Sequence, residues 1–187
     1  GWVAGVGAKI GPDPREMGES DLVIAWGTNP ASTQVNVMTH IARARRERKA
    51  KLIVIDPYRT STAKVADFHL ALTPGTDGAL ACAIMHVMFR DGHADRDYLR
   101  KYSDVPDELE QHLSTRTPQW ASGITGLPAA QIEEIAKLYG TTQRAFIRVG
   151  FGFSRSRNGS ANVHAVACLA TVGGKWQYRG GGPFYTN

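Results

Sequence analysis

Short apolar runs alternate with amphipathic stretches along the chain, and this pattern predicts its secondary structure. Residues 21–25 and 51–55 are mostly apolar runs, which are typical of strands that a parallel sheet buries on both faces. Residues 145–149 form a further run of this kind, and residues 68–72 alternate like a strand with one buried face. We therefore expect strands at these positions.

Between the predicted strands, apolar residues recur at helical spacing. Residues 34–49 place Val37, Met38, Ile41 and Ala44 on one face, as an amphipathic helix does. Strands that alternate with helices indicate an α/β fold, and we expect a Rossmann-like, mostly parallel sheet with helices on both faces. Further helices are predicted at residues 78–90, 106–112, 129–139 and 163–172, a short helical piece at 63–66, and a glycine-rich loop at 180–183.

Composition and charge describe an ordinary globular chain and narrow the functional classes. Of the 187 residues, 42% are hydrophobic and 21% are charged, and the formal net charge is +5. This charge favours an anionic ligand or partner, and no apolar run is long enough to span a bilayer. Basic residues crowd positions 43–49, but no aromatic residues lie among them, so a solvated helix end is favoured over a nucleic-acid patch.

The cysteine and histidine residues do not indicate a metal site. Cys82 and Cys168 lie far apart in apolar segments, which favours two buried thiols over a disulfide or a pair of metal ligands. His86, His93 and His112 have no ligand-like spacing with cysteines or acids. We therefore assign no metal ligand to this chain.

The turn after the first predicted strand carries the first candidate binding residues. Trp26 and Gly27 end the apolar run, and Asn29 and Pro30 open the amphipathic stretch. In open α/β folds such a turn lies at the carboxyl edge of the sheet, where the free N–H groups of a helix N-terminus hold phosphates. Gly27 lets backbone approach a ligand, Asn29 brings an amide, and Pro30 suits the first helical turn. Many strand–turn–helix connections in α/β domains share this pattern, so by itself it is weak evidence for a binding site.

Two acidic residues follow later strands, and each has two interpretations. Asp56 follows the strand at 51–55, where nucleotide-binding folds hydrogen-bond a ribose, but an Asp-Pro pair also starts turns. Asp77 precedes the helix at 78–90, where either it or Thr76 would cap the helix N-terminus. Asp77 could equally accept hydrogen bonds from the N1 and N2 edge of a guanine.

The strand at residues 145–149 runs into a second glycine turn. Gly150 and Gly152 begin a dinucleotide fingerprint, but Arg155 stands where its third glycine would be. This incomplete fingerprint disfavours an ordinary nicotinamide-binding domain. Arg155 and Arg157, beside a predicted helix N-terminus, still suit phosphate.

Taken in order, these motifs resemble those of the molybdopterin oxidoreductases of the dimethyl sulfoxide reductase family. The resemblance extends from about residue 21 to residue 183, and its strength lies in the order and spacing of motifs that are each weak alone. It rests on Trp-Gly-Thr-Asn-Pro at 26–30, Val-Ile-Asp-Pro-Tyr-Arg-Thr at 54–60, Ala-Asp at 66–67, Pro-Gly-Thr-Asp at 74–77, Ile-Thr-Gly at 124–126, Gly-Phe-Gly at 150–152 with Arg155, Asn-Gly at 158–159, and Gly-Gly-Gly at 180–182.

The resemblance implies that these loops bind molybdopterin guanine dinucleotide, of which the family uses two molecules per molybdenum. The first loop would lie along the phosphates and the pterin side, the second would contact the ribose and guanine end, and the third would read the guanine edge. The implied residues are Trp26, Gly27, Thr28, Asn29 and Pro30 in the first loop, Asp56, Pro57, Tyr58, Arg59 and Thr60 in the second, Gly75, Thr76 and Asp77 in the third, and Phe151 and Arg155 in a later loop. This chain departs from the family at Arg155-Ser156, where Gln-His is common.

The resemblance also implies parts that would lie outside this chain. A cysteine cluster for an iron–sulfur centre and the ligand to molybdenum would both precede Gly1. We therefore expect a fragment, with an α/β cofactor-binding domain at residues 1–140 and the start of a second α/β domain at 141–187. The expected partners are the rest of the parent polypeptide and an electron-transfer subunit, with no nucleic acid and no membrane segment. Cytoplasmic and periplasmic locations both stay open, because a targeting signal would lie upstream.

The implied function is that of a cofactor-binding fragment of a molybdenum oxidoreductase, which performs a two-electron oxidation or an oxygen-atom transfer. No catalytic residue is assigned to this chain, and the fragment alone is expected to be inactive. The alternative is a structural or electron-transfer scaffold that kept the fold and lost the molybdenum cofactor. Asn29, Asp56 and Asp77 together argue against that alternative, because a vacated pocket need not keep an amide and two acids.

Overall fold

A sheet of five parallel strands forms the centre of the fold. The computed structural model describes residues 1–185, with Phe153 described by its backbone alone. The strands are β1 (Leu22–Trp26), β2 (Lys51–Ile55), β3 (Phe68–Leu70), β4 (Ala145–Val149) and β5 (Gly182–Tyr185), and their order in the sheet is β3-β2-β1-β4-β5. The predicted strands at 51–55 and 145–149 are confirmed. The predicted strand at 21–25 is shifted by one residue, and the one at 68–72 is shorter than predicted.

Helices connect the strands and precede the first of them. They are α1 (Trp2–Val6), α2 (Pro30–Thr33), α3 (Val35–Arg48), α4 (Ser61–Lys64), α5 (Asp77–Arg90), α6 (Arg96–Tyr102), α7 (Pro106–Leu113), α8 (Pro118–Thr125), α9 (Ala129–Thr141) and α10 (Gly159–Val172). Short 3-10 turns lie at Pro14–Glu19, Phe153–Arg155 and Lys175–Gln177. The predicted helices are present, although α10 begins at Gly159 instead of residue 163, and the short helix predicted at 63–66 lies at 61–64. Across residues 1–185, none of the helices is both long and apolar enough to cross a membrane.

The glycine-rich loop predicted at 180–183 is wrong in part, because Gly182–Tyr185 forms strand β5. Pro183 of this strand is the register partner of Ile147 in β4. Proline has no N–H to donate, and an edge strand tolerates it because only one of its sides is paired. The sequence shows no long apolar run here because a strand at the edge of the sheet needs less burial than a central one.

Side chains of the central strands alternate between two hydrophobic clusters, one on each face of the sheet. In β1, Leu22, Ile24 and Trp26 belong to the larger cluster, whereas Val23 and Ala25 belong to the smaller one. Helices α5, α8, α9 and α10 contribute to the larger cluster, and α3, α4 and the 3-10 turn that follows α1 contribute to the smaller one. The predicted α/β fold, with a Rossmann-like parallel sheet and helices on both faces, is confirmed.

The chain reverses the direction in which it adds strands at β1, which lies between β2 and β4. In open α/β sheets such a switch point opens a crevice at the carboxyl edge, where ligands bind. Strands β4 and β5 pair into the same sheet as the earlier strands, so the sheet extends across the predicted domain boundary at residue 140. The division into residues 1–140 and 141–187 stays a prediction.

Glycine backbones meet at the carboxyl edge between β1 and β4. The N–H of Gly150 donates to the oxygen of Trp26 (2.8 Å), and the N–H of Gly152 donates to the oxygen of Gly27 (3.1 Å). A Cβ atom on Gly150 would lie 2.3 Å from the Gly27 oxygen, and one on Gly152 would lie 2.7 Å from it. We call this meeting of Gly27, Gly150 and Gly152 the glycine contact. It holds the two turns together mainly through backbone, and the Cβ atom of Thr28 also packs against Gly150.

Replacement of Gly150 by alanine should destabilise the protein, because the new methyl group would overlap the Gly27 carbonyl. The expected loss in the free energy of unfolding is about 1–3 kcal/mol, the usual cost of overpacking a filled site. The matched control is Gly123→Ala in α8, where a Cβ atom meets nothing within 4 Å. That change should raise stability by roughly 0.5–1 kcal/mol. Urea unfolding of both variants measures the difference, and equal stabilities would contradict the glycine contact.

Candidate functional site

Two clefts lie at the carboxyl edge of the sheet, and the glycine contact borders both. The aspartate cleft has a volume of about 320 Å³ and is lined by Gly27, Ile55, Asp56, Pro57, Leu72, Pro74, Gly75, Asp77, Gly152, Arg155 and Ser156. The amide cleft has a volume of about 540 Å³ and is lined by Gly27, Thr28, Asn29, Thr33, Gln34, Gly150 and Phe151. The shared wall at Gly27 makes the clefts neighbours on one continuous edge.

The structure brings many of the predicted site residues to these two clefts. In the aspartate cleft these are Gly27, Asp56, Pro57, Gly75, Asp77 and Arg155, and in the amide cleft Gly27, Thr28, Asn29 and Phe151. The other predicted residues line neither cleft: Trp26, Pro30 and Thr60 are buried, Thr76 is half-buried, and Tyr58 and Arg59 are exposed. The role of each predicted residue in cofactor binding stays a prediction.

A buried hydrogen bond joins the end of β1 to the start of α5. The indole Nε1 of Trp26 donates to Oδ1 of Asp77 at 2.8 Å. Asp77 is 3% exposed, and this burial raises the pKa of its carboxyl, while the hydrogen bond from Trp26 opposes the rise. The indole thereby orients a carboxylate that lines the aspartate cleft.

The start of α5 is held by α10 and not by a cap from Thr76. Thr76 is the N-cap residue, but its hydroxyl donates to the oxygen of Thr73 (2.6 Å), so the predicted side-chain cap from this residue is wrong. The buried amide of Asn162 takes that role, because its Oδ1 accepts from the N–H of Gly78 (3.0 Å). Its Nδ2 donates to the oxygen of Gly75 (3.2 Å). Sequence reasoning missed Asn162, and an amide in an otherwise apolar helix was the available signal.

Asn29 ties the first loop to the second. Its Oδ1 accepts from the hydroxyl of Thr62 (2.8 Å) and from the N–H of Thr62 (3.3 Å), and its Nδ2 donates to the hydroxyl of Ser32 (3.0 Å). Thr62 lies in α4, which Thr60 caps by accepting from the N–H of Ala63 (3.2 Å). The Asn29 amide is therefore part of the wall of the amide cleft as well as a candidate ligand contact.

Asp56 forms a turn and also lines the aspartate cleft. Its Oδ1 accepts from the N–H of Tyr58 at 2.9 Å, so the turn-forming interpretation is confirmed, while the ribose contact stays a prediction. Burial raises the pKa of the Asp56 carboxyl, and the hydrogen bond from Tyr58 lowers it by less. His69 Nε2 lies 2.9 Å from the backbone oxygen of Asp56 and so fixes the end of β2 against β3.

The second glycine turn contributes residues to both clefts. Phe151 lines the amide cleft and packs on the ring of Tyr185, with 4.8 Å between the ring centroids. Arg155 lines the aspartate cleft with an exposed side chain. The turn therefore offers an aromatic surface to one cleft and a cation to the other.

Both cysteines are free thiols, as predicted, although neither is fully buried as expected. Cys82 and Cys168 are half-buried, and burial raises the pKa of both, that of Cys168 to about 11. Residues 1–185 contain no group of three or more His, Cys, Asp or Glu side chains placed to hold a metal ion.

The sequence matches a known family along most of its length. The sequence model of the family described as molybdopterin oxidoreductase matches residues 9–187. The probable oxidoreductase YoaE of Bacillus subtilis (strain 168) is 37% identical over 187 residues, which cover 100% of this chain and 27% of that protein. Dimethyl sulfoxide reductase DmsA of Escherichia coli (strain K12) is 33% identical over 194 residues, which cover 91% of this chain and 24% of that protein. Formate dehydrogenase H of the same organism is 32% identical over 160 residues, which cover 86% of this chain and 22% of that protein.

A solved structure has the same fold. Acetylene hydratase from Pelobacter acetylenicus superposes with a TM-score of 0.75 at 24% identity, over 87% of this chain and 22% of that chain. The chain spans about a quarter of the length of the curated relatives that it matches. The family match and the order of the motifs agree with the arrangement of loops at the carboxyl edge. The chain belongs to the molybdopterin oxidoreductase family.

Proposed function

We propose that this chain holds molybdopterin guanine dinucleotide, in the bis form with molybdenum, within a larger oxidoreductase. The observation that carries the proposal is the pair of neighbouring clefts, because a long ligand with two chemically different ends would lie across the glycine contact. When bound, such a cofactor supplies two-electron redox chemistry or oxygen-atom transfer. Residues of this chain bind and orient it. An iron–sulfur cluster and an electron-transfer subunit belong to the same proposal, outside this chain.

The aspartate cleft suits the guanine end of that ligand. Guanine presents N1–H and N2–H donors on one edge, and a carboxylate accepts two such hydrogen bonds. The Asp77 carboxylate is already oriented by Trp26, so little reorganisation is needed when a base arrives. Asp56 is the proposed ribose contact, and Arg155 adds a cation to the same cleft.

The amide cleft suits the phosphates and the pterin side. The residues that line it include the hydroxyls of Thr28 and Thr33 and the amides of Asn29 and Gln34, and none of them carries a carboxylate. Phosphate oxygens accept hydrogen bonds from such groups and are not repelled there. At the glycine contact the ligand would rest mostly on backbone, because glycines form the closest approach of the two turns.

A direct measurement distinguishes the proposed cofactor-binding function from the alternative, a scaffold that has lost the cofactor. Asn29 and Asp77 have structural partners in Thr62 and Trp26, so both residues would be retained whether or not a ligand binds. Their presence therefore no longer decides between the two functions. Molybdenum analysis and release of guanine nucleotide from the full-length parent protein decide the question. A cofactor-binding protein yields both, and a scaffold yields neither.

Asp77→Asn should abolish the preference of the chain for guanine nucleotides. The variant retains an acceptor for the Trp26 indole but replaces one guanine acceptor by a donor. Loss of a charged hydrogen bond of about 2 kcal/mol corresponds to roughly thirtyfold weaker GDP binding. Calorimetric titration with GDP and ADP at neutral pH measures the preference, and Asp97→Asn, an exposed acid on α6, is the control. Equal affinities of the wild type for GDP and ADP would contradict the assignment of the aspartate cleft.

The same variant should change how stability depends on pH. Burial raises the pKa of folded Asp77 above its ordinary value of 3.8, so the folded chain holds that proton more tightly than the unfolded chain. Ionised Asp77 therefore costs stability, and the cost is absent below the unfolded pKa and complete above the folded one. Asp77→Asn should be the more stable protein at neutral pH, with a gap that closes as the pH falls toward 4. Thermal unfolding across this range tests it, and a constant gap would refute the coupling.

The chain alone should show no oxidoreductase activity, because none of its residues is assigned as a ligand to molybdenum. The measurement is dye-linked formate oxidation or dimethyl sulfoxide reduction by the purified chain, with the full-length parent protein as the control. Appreciable turnover by the chain alone would contradict the assignment of the bond-making site to other parts of the polypeptide.

A further inference from the structure

A buried arginine without a carboxylate partner lies under the amide cleft. Arg148 is in β4, between Ala25 of β1 and Phe184 of β5, and it is 1% exposed. Its Nη1 donates to the oxygen of Val149 (2.5 Å), and its Nη2 donates to Oε1 of Gln34 (2.6 Å). The guanidinium also lies 5.6 Å from the centre of the Phe184 ring. Its Nε has no hydrogen-bond partner, and in residues 1–185 no carboxylate lies within 4.0 Å of it.

This arrangement destabilises the fold, which is unexpected for a residue with a purely structural role. A buried ion without a counter-ion is strongly destabilising, and an apolar side chain of similar volume is often neutral or stabilising in its place. Burial lowers the pKa of Arg148 to about 10, so the guanidinium still carries its charge at neutral pH. The other described contacts of Arg148, a carbonyl, an amide and a ring, reduce that cost without neutralising the charge.

Gln34 connects this charge to the amide cleft. It is the N-cap residue of α3, yet its side chain makes no capping hydrogen bond and turns to Arg148 instead. Gln34 also lines the amide cleft, whose lining residues include no acid. Because its Oε1 accepts from Arg148, the amide is fixed with Nε2 as the donor that remains. Among the residues that the structure describes, this Nε2 has no acceptor.

We infer that Gln34 and Arg148 form an anion subsite on the wall of the amide cleft, for a phosphate or pyrophosphate group. Gln34 donates its Nε2 hydrogens to the anion, and Arg148 is a positioning residue that orients the Gln34 amide and supplies the counter-charge from beneath. This subsite rests on the proposed function, because the proposed cofactor carries a pyrophosphate. The anion is thereby held from the β4 side of the cleft, by residues that belong to no recognised sequence motif.

The test compares Arg148→Met with Arg144→Met. Arg144 is exposed just before β4, so the control makes the same chemical change at the other end of the strand. The probes are inorganic pyrophosphate, GDP and guanosine, with binding followed by calorimetry and stability by thermal unfolding without phosphate. Arg148→Met should bind pyrophosphate about tenfold more weakly or worse, equivalent to roughly 1.4 kcal/mol. It should keep its guanosine affinity and melt no lower than the wild type, and the control should match the wild type throughout.

The outcomes separate this inference from the proposed function. If Arg148→Met melts well below the wild type while pyrophosphate binding is unchanged, Arg148 is only a link between β4 and α3 and the inference is wrong. If guanosine and GDP bind equally well to the wild type, no anion subsite exists, although the guanine site stands. If neither GDP nor guanosine binds, or if their affinity is unchanged by Asp77→Asn, the proposed function is wrong. The pyrophosphate affinity of Arg148→Met then tests the anion subsite independently.

A second variant keeps the inference testable if Arg148→Met does not fold. Gln34→Glu supplies the carboxylate that Arg148 lacks while preserving the hydrogen bond to its Nη2. It should raise the melting temperature and weaken pyrophosphate binding, because the new carboxylate takes the place of the anion. Thr33→Glu adds the same charge to the lining of the amide cleft and is the control. A rise in melting temperature equal for both variants would contradict the need of Arg148 for a counter-ion.

Discussion

The contact between two glycine turns at the switch point is the constraint on which the carboxyl edge of this protein depends. Gly27 and Gly150 directly follow the neighbouring strands β1 and β4, and a methyl group on Gly150 would overlap the carbonyl of Gly27. The turns therefore touch through backbone, and space for a ligand remains on both sides of them. A ligand that uses both clefts must be long and must cross a surface made of peptide groups.

The loops around this contact are held by side chains that reach from one loop to the next. Trp26 orients Asp77, and Asn29 binds Thr62. Asn162 secures the turn that precedes α5. Each hydrogen bond joins segments that are far apart in sequence, so the walls of the clefts are fixed before a ligand arrives. Binding to a site of this kind costs less ordering entropy than binding to free loops.

Much of the fold could be predicted from the sequence, and the reason is burial. Strands covered on both faces leave continuous apolar runs, and the carboxyl ends of parallel strands meet, so Asp56 and Asp77 could be placed together before the structure was known. The pairing of β4 with β1 and the edge strand β5 could not be predicted, because pairing between distant segments leaves no periodic signal. Arg148 was missed for the same reason, since its role depends on a contact with Gln34, which is more than 80 residues away. Asn162 also acts through distant contacts, but its amide in a largely apolar helix was a signal that the sequence did offer.

The two buried ionisable groups at this edge have opposite charge and lie on opposite faces of the sheet. Asp77 bonds to Trp26 in the larger cluster, whereas Arg148 alternates onto the face of Phe146 in the smaller one. Burial raises the pKa of Asp77 and lowers that of Arg148, so in both residues it disfavours the charged form. Each charge therefore opposes folding. A ligand with hydrogen-bond donors at one end and phosphates at the other would offset the unfavourable burial of both charges. Under the proposed function such a ligand would bind in one direction, with its base toward α5 and its anionic groups toward α3.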